Sequence, residues 1–275
     1  MTRLETFFLN SNPGQRFCLF HAPVGPCRGA ILYVHPFAEE MNRSRRMVGL
    51  QARQMAAMGY GVLLLDLFGC GDSSGDFGDA DWQIWKRDIA RGEAWLRERL
   101  DQPITLWGLR LGGLLALDYA RNASSDIGGI VLWQPVSNGA AYLTQFLRLR
   151  LANALFGGNE ARLESTDLLR QSLLSGETIE VVGYDLAPGL AAAIDAVPPL
   201  EAMAPACPVS WFEAGVGPQL STNTNRLSSL WQHRGVDLRV YAVRCPPFWS
   251  ATEIVACDEW LDATSAIFRE SSDGI

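Results

Sequence analysis

The chain has 275 residues, 48% hydrophobic and 19% charged, enough for one large domain with a sizeable core or a domain carrying an inserted subdomain. Its net charge of −7 argues against a general affinity for nucleic acid or anionic lipid. The first stretch, MTRLETFFLNSNPGQRFCLF, carries charge, and no apolar run approaches a membrane span, so no secretion signal, no membrane span and a cytoplasmic location are expected. Cys18, Cys27, Cys70, Cys207, Cys245 and Cys257 show no CxxC or Cys/His spacing, and His21, His35 and His233 are scattered. Reduced thiols, no metal and no other cofactor are therefore expected.

In chain order, LETFFLN and QRFCLFHAP flank a turn at Asn12-Pro13-Gly14 and read as an antiparallel hairpin. GAILYVHP is a strand and MVGLQARQMAAMGY a helix; GVLLLDLFG is the next strand and WQIWKRDIARGEAWLRERL the next helix. PITLWGL feeds into the helix GGLLALDYARNA, and GGIVLWQP comes next as a strand. Near-continuous apolar strands alternating with amphipathic helices predict a mostly parallel sheet covered on both faces. From Asn138 to Pro199 the rhythm breaks: AAYLTQFLRLRLANALF and the segments after it are helical in character, with no obvious strand before CPVSWFEAG. VDLRVYAV is the last strand, and a final helix covers TEIVACDEWLDATSAIF. The expected organisation is a core of residues 1–137 and 200–275 with a helical cap, 138–199, over the strand ends where open α/β sheets bind ligands.

WGLRLGG, Trp107 to Gly113, has the strand–turn–helix setting of a nucleophile elbow, G-x-S-x-G, with arginine at its centre. YVHPFAEE and DLFGCGDSSGDF stand at the other two loops that this arrangement uses. Together, over roughly Gly29 to Phe268, these motifs resemble the α/β-hydrolase superfamily and imply its fold: a mostly parallel sheet, helices on both faces, and an inserted cap. LWQPVSNGAAYLTQFLRLRLA, GYDLAPGLAAAI and CPPFW resemble more closely the hydrolase-like proteins of exosortase A systems, of the type called the second associated hydrolase. That resemblance implies a link to exopolysaccharide and protein-sorting loci, but supplies no reaction.

A triad needs a nucleophile at the elbow, an acid after a late strand and a histidine after the last one. Arg110 stays protonated and cannot attack. The last loop, RCPPFWSATEI, has no histidine, and WFEAGVGPQLST offers only Glu213 as acid. Two classes of function remain. The first is a degenerate hydrolase that binds a small anionic acyl or sugar-derived ligand, or a protein of the exosortase and polysaccharide pathway. Its expected binding residues are Arg110, His35, Glu39, Glu40, Leu111 and Glu213. The second is an active hydrolase or acyltransferase with Cys70, Ser73 or Cys245 as nucleophile and His35 as base.

Arg110 itself has two readings. At the N-terminus of a helix its guanidinium is suited to carboxylate or phosphate. Equally, Glu39, Glu40 or Glu213 could pair with it and plug the vacated pocket. EEMNRSRRM reads as the start of a helix with Arg43, Arg45 and Arg46 on a solvated face, Asp72 and Asp76 being their surface partners. Arg148 and Arg150 in the cap alternate with leucines and read as packing residues.

Overall fold

The hairpin forms as read: Leu4–Asn10 (β1) pairs antiparallel with Gln15–His21 (β2), and Gly14 closes the turn at φ 67°. The computed structural model describes residues 3–123, 126–156, 165–253 and 255–270. Gly29–Val34 (β3), Tyr60–Leu65 (β4), Ile104–Leu109 (β5), Gly129–Trp133 (β6), Val209–Gly215 and Leu238–Arg244 supply the parallel strands. Between β6 and Val209 lie two further short strands, Ile179–Val181 (β7) and Tyr184–Leu186 (β8), so Val209–Gly215 is β9 and Leu238–Arg244 is β10. The eight-stranded sheet has the order β1-β2-β4-β3-β5-β6-β9-β10, parallel except at β1, β2 and the β2–β4 pairing.

Strand alternation divides the core. In β5, Ile104 and Leu106 face one side while Trp107 and Leu109 face the other. The first side is covered by Trp82–Leu100 (α2) and Leu111–Asn122 (α3); the second by Glu39–Ala57 (α1) and the C-terminal helix Asp258–Glu270. Asp81 caps α2, its carboxylate accepting from the Gln83 and Ile84 amides at 2.9 Å. The apolar stripe of α2 runs Trp82, Trp85, Ile89, Leu96.

Between β6 and β9 stand Gly139–Phe156 (α4), Thr166–Leu174 (α5), the β7–β8 hairpin and Pro188–Ala196 (α6); Thr222–His233 is α7 and the C-terminal helix α8. Residues 157–164 of the expected cap lie outside the described ones.

Three expectations change. The cap segment contains a strand pair, β7–β8, whose three-residue strands are too short for alternation to reveal. The helix read over MVGLQARQMAAMGY, with EEMNRSRRM as its start, begins at Glu39 with an acidic first turn, as the helix dipole favours, and the arginines follow that turn rather than opening the helix. The last helix starts at Asp258 rather than Thr252. Among the described residues no helix is long and apolar enough to cross a membrane.

Candidate functional site

The elbow keeps its backbone despite the missing serine. Arg110 sits at φ 55°, ψ −121°, a strained state for a side chain with a β-carbon. The turn is pinned on both sides: the Arg110 amide donates to the Trp133 carbonyl at 2.9 Å, and its own carbonyl accepts from Gly113 at 3.0 Å. The glycines are needed sterically, since a β-carbon at Gly112 would strike the carbonyls of Val34 and His35, and one at Gly108 the backbone of Gly113. The elbow is thereby held tightly against the end of β3.

Arg110 is 17% exposed at its side chain and Glu40 19%, and they pair through Nε and Oε1 at 3.2 Å. The Tyr142 hydroxyl donates to the other Glu40 oxygen at 3.0 Å. The guanidinium lies 5.7 Å from the centroid of the Tyr142 ring and 5.4 Å from that of Trp249. Nη1 reaches the Gln134 carbonyl at 3.5 Å, whereas Nη2 has no protein partner among the described residues. Burial pushes the Glu40 carboxyl above the ordinary carboxylate range, against the opposing pull of Arg110 and the Tyr142 hydrogen bond. Burial also raises the Tyr142 phenol, with the Glu40 charge adding to it.

Arg110, Glu40 and Trp249 line a cavity of about 480 Å³, within the range of small-ligand sites. Phe37, Phe146, Leu149 and Val182 give the cavity an apolar wall. Backbone strain gathers here. Of five non-glycine residues with positive φ among those described, Ala38, Arg110 and Val182 line this cavity, and Gln134 presents its carbonyl to Arg110. Only Asp101, ending α2, lies elsewhere.

Of the other predicted residues, Glu39 lines the same cavity as Arg110 and Glu213 lines a neighbouring one with it, but neither pairs with the guanidinium. Glu39 accepts from the Tyr184 hydroxyl at 3.1 Å and pairs with Arg43 at 3.5 Å, not with Arg110. Glu213 is taken by Ser221 and Thr224, whose hydroxyls both donate to it at 2.7 Å; it too leaves Arg110 alone. Leu111 opens α3 directly after the elbow. Arg45 pairs with Asp66 at 3.4 Å, and Arg43 also donates to the carbonyls of Ser250 and Ala251, so Asp72 and Asp76 are not their partners. Arg150 donates to the Glu180 carbonyl and ties α4 to β7.

His35 is buried with both ring nitrogens engaged: Nδ1 donates to the Pro36 carbonyl at 2.7 Å and Nε2 accepts from the Leu67 amide at 3.2 Å. Burial holds its pKa below the usual value, so the ring is neutral and committed. Cys70 shares a void with His35 and Leu111, but that void is only about 10 Å³, room for one water at most. Burial drives the Cys70 and Cys245 thiols upward, away from thiolate. The Ser73 hydroxyl donates to the Asp66 carbonyl at 2.5 Å and accepts from the Phe17 amide at 2.9 Å. Ser73 is a loop staple.

Tyr142, Trp249 and Gln134 escaped the sequence reading. Trp249 stands in CPPFW, where a triad histidine was sought, and its ring is what that loop delivers to the elbow. Among the described residues no cluster of three or more His, Cys, Asp or Glu could hold a metal.

A family model described as serine aminopeptidase, S33, matches residues 25–175. No curated protein matches the chain significantly. Solved structures that resemble it include Est1E of Butyrivibrio proteoclasticus with ferulic acid bound: TM-score 0.70, 14% identity, 96% of this chain and 98% of that one. A thermostable carboxyl esterase of Bacillus coagulans gives a TM-score of 0.64 at 15% identity, over 98% and 99% of the two chains. Alpha/beta hydrolase domain-containing protein 10 from mouse gives 0.62 at 14% identity, over 98% of both. At these identities the likeness is one of fold.

Proposed function

The chain belongs to the serine aminopeptidase S33 family of α/β-hydrolases, and from that premise we propose that it binds a ligand at the elbow and performs no serine chemistry there. One observation carries the reading. The Arg110 guanidinium faces a 480 Å³ cavity with Nη2 open, while its Nε alone carries Glu40. A plug of this kind neutralises the buried charge through Nε and leaves Nη2 for an oxygen of a carboxylate or phosphate. Plug and receptor therefore coexist.

The ligand is a small anion with an acyl or sugar-derived body, its charge at Arg110 and its body against Tyr142, Trp249 and the apolar wall. Residues 138–199 serve as the cap, since they supply Tyr142, Phe146, Leu149, Val182 and Tyr184 to the cavity. The resemblance to exosortase-associated hydrolase-like proteins supports an exopolysaccharide or protein-sorting setting for that ligand, or for a protein partner presenting the same anion. The atypical-enzyme reading has less support: His35 has no free nitrogen, and the void joining it to Cys70 admits no substrate.

Short p-nitrophenyl esters should show background turnover only, in wild type and in Arg110→Ala alike. Turnover above buffer that His35→Ala abolishes would overturn the reading. Arg110→Ser should remain inactive, because no histidine reaches the elbow to take the proton. Saturating sulfate or inorganic phosphate should raise the wild-type Tm by about 2–4 °C, the shift that roughly 1 kcal/mol of linkage gives. Arg110→Ala should not respond; equal shifts in both proteins would refute the receptor.

A further inference from the structure

A second cavity, of about 470 Å³, lies between α1 and the β2–β4 flank of the sheet and shares no lining residue with the Arg110 cavity. Its floor is apolar and incompletely covered: Leu19 and Leu64, paired across β2 and β4, are both only half-buried. Two buried polar side chains of its lining are short of partners. His21 is 6% exposed and its Nδ1 has no hydrogen-bond partner; Tyr33 is 5% exposed and its hydroxyl meets only that of Ser44. The Ser44 hydroxyl gives its proton to the carbonyls of Glu40 and Met41, so towards Tyr33 it can only accept, which leaves the Tyr33 oxygen able to accept from a ligand. Native proteins seldom bury polar groups unpaired, and such groups in a ligand-sized cavity point to a ligand.

The placement of the charges says what kind. Arg45, Gly49 and Arg53 line the cavity from α1 at intervals of four residues, one stripe about 12 Å long from end to end. Tyr33 lies at the Arg45 end and His21 at the Arg53 end, each sensing the charge of its arginine. The two ends differ. Arg45 is already neutralised by Asp66, whereas Arg53 has no acidic partner among the described residues and donates only to the Gly49 carbonyl. Between them Gly49 has no side chain, and a β-carbon there would have nothing nearer than Arg53 Nη2 at 4.0 Å.

We propose that this groove is a second binding site, for a medium-length ω-hydroxy fatty acid. The carboxylate sits between Arg53 and His21, the chain lies on Leu19 and Leu64 beneath Gly49, and the terminal hydroxyl bonds the Tyr33 hydroxyl. One free cation calls for one anion, the neutralised Arg45 end calls for an uncharged polar group, and the floor calls for hydrocarbon. The site is independent of Arg110.

ω-Hydroxydecanoate, whose polar ends lie about as far apart as the two arginines, is compared with decanoate by calorimetry. Wild type should bind the hydroxy acid about tenfold more tightly, the worth of one buried hydrogen bond. Tyr33→Phe should erase that preference, and Arg53→Ala should weaken both chains about tenfold. Gly49→Leu fills the groove while replacing a glycine in a helix interior, so it should abolish binding and raise Tm. Arg110→Ala should bind both acids as wild type does, which separates this site from the first. Absence of binding to wild type, an unchanged preference in Tyr33→Phe, binding retained by Gly49→Leu, or binding lost in Arg110→Ala would each overturn the proposal.

Discussion

Arg110 and Glu40 form a charge pair whose balance is set by burial, and that balance moves with pH. The folded pKa of Glu40 is raised above its unfolded value, near 4.3 for a free glutamate. A carboxyl raised in this way contributes stability that is present below the unfolded pKa and lost as pH rises through the folded one. It also takes its proton before ordinary carboxylates do, and once neutral it competes less for the guanidinium. Sulfate, which stays charged, should therefore bind more tightly as pH falls from neutrality toward the carboxylate range, by several-fold. Glu40→Gln should bind sulfate more tightly at pH 7 and lose that dependence. A titration of sulfate affinity in both proteins checks this, and parallel pH curves would show that Glu40 is not the competitor. At this scale the sequence identified the arginine and three candidate carboxylates but could not choose among them. Glu39 and Glu40 are adjacent, and turning by about 100° per residue along α1 sends one to Tyr184 and the other to Arg110.

Two elements carry their strain differently. The elbow is over-determined by close packing: Gly112→Ala would drive a β-carbon into two carbonyls of the β3 end and should destabilise the protein by about 1–3 kcal/mol or more, read from denaturant unfolding. The β7–β8 turn has no such compulsion. Val182 at φ 51° and Gly183 at φ 83° make a two-residue turn of the type that favours Asn-Gly. A β-branched residue there is an outlier, and Val182 remains 44% exposed where it lines the Arg110 cavity. Val182→Asn should raise stability by about 0.5–1 kcal/mol, since asparagine tolerates the left-handed region. It should also weaken apolar anions at the Arg110 site more than sulfate, if Val182 is kept for its contact with the ligand body. A lower Tm in the variant would refute the strain argument. The elbow was legible because its glycines are fixed in spacing by the strand and helix on either side. The hairpin was not, since three-residue strands leave no period to read.

Across the whole molecule, the alternation of apolar strands with amphipathic helices made the parallel sheet and its two covered faces readable, because strands buried on both sides must be apolar throughout. The sequence by itself determined the fold, the glycine frame of the elbow, and the absence of serine at its centre and histidine in the last loop. Only the tertiary structure decided what surrounds the elbow: Glu40 and Tyr142 around the guanidinium, Trp249 from the last loop beside it, and His35 consumed by neighbouring backbone. These groups are brought together from α1, α4 and the loops after β3 and β10, with Tyr142 lying 102 residues from Glu40. Local propensity fixes each element, but sheet register and helix rotation fix which side chains meet, and neither is written in any short stretch of the chain.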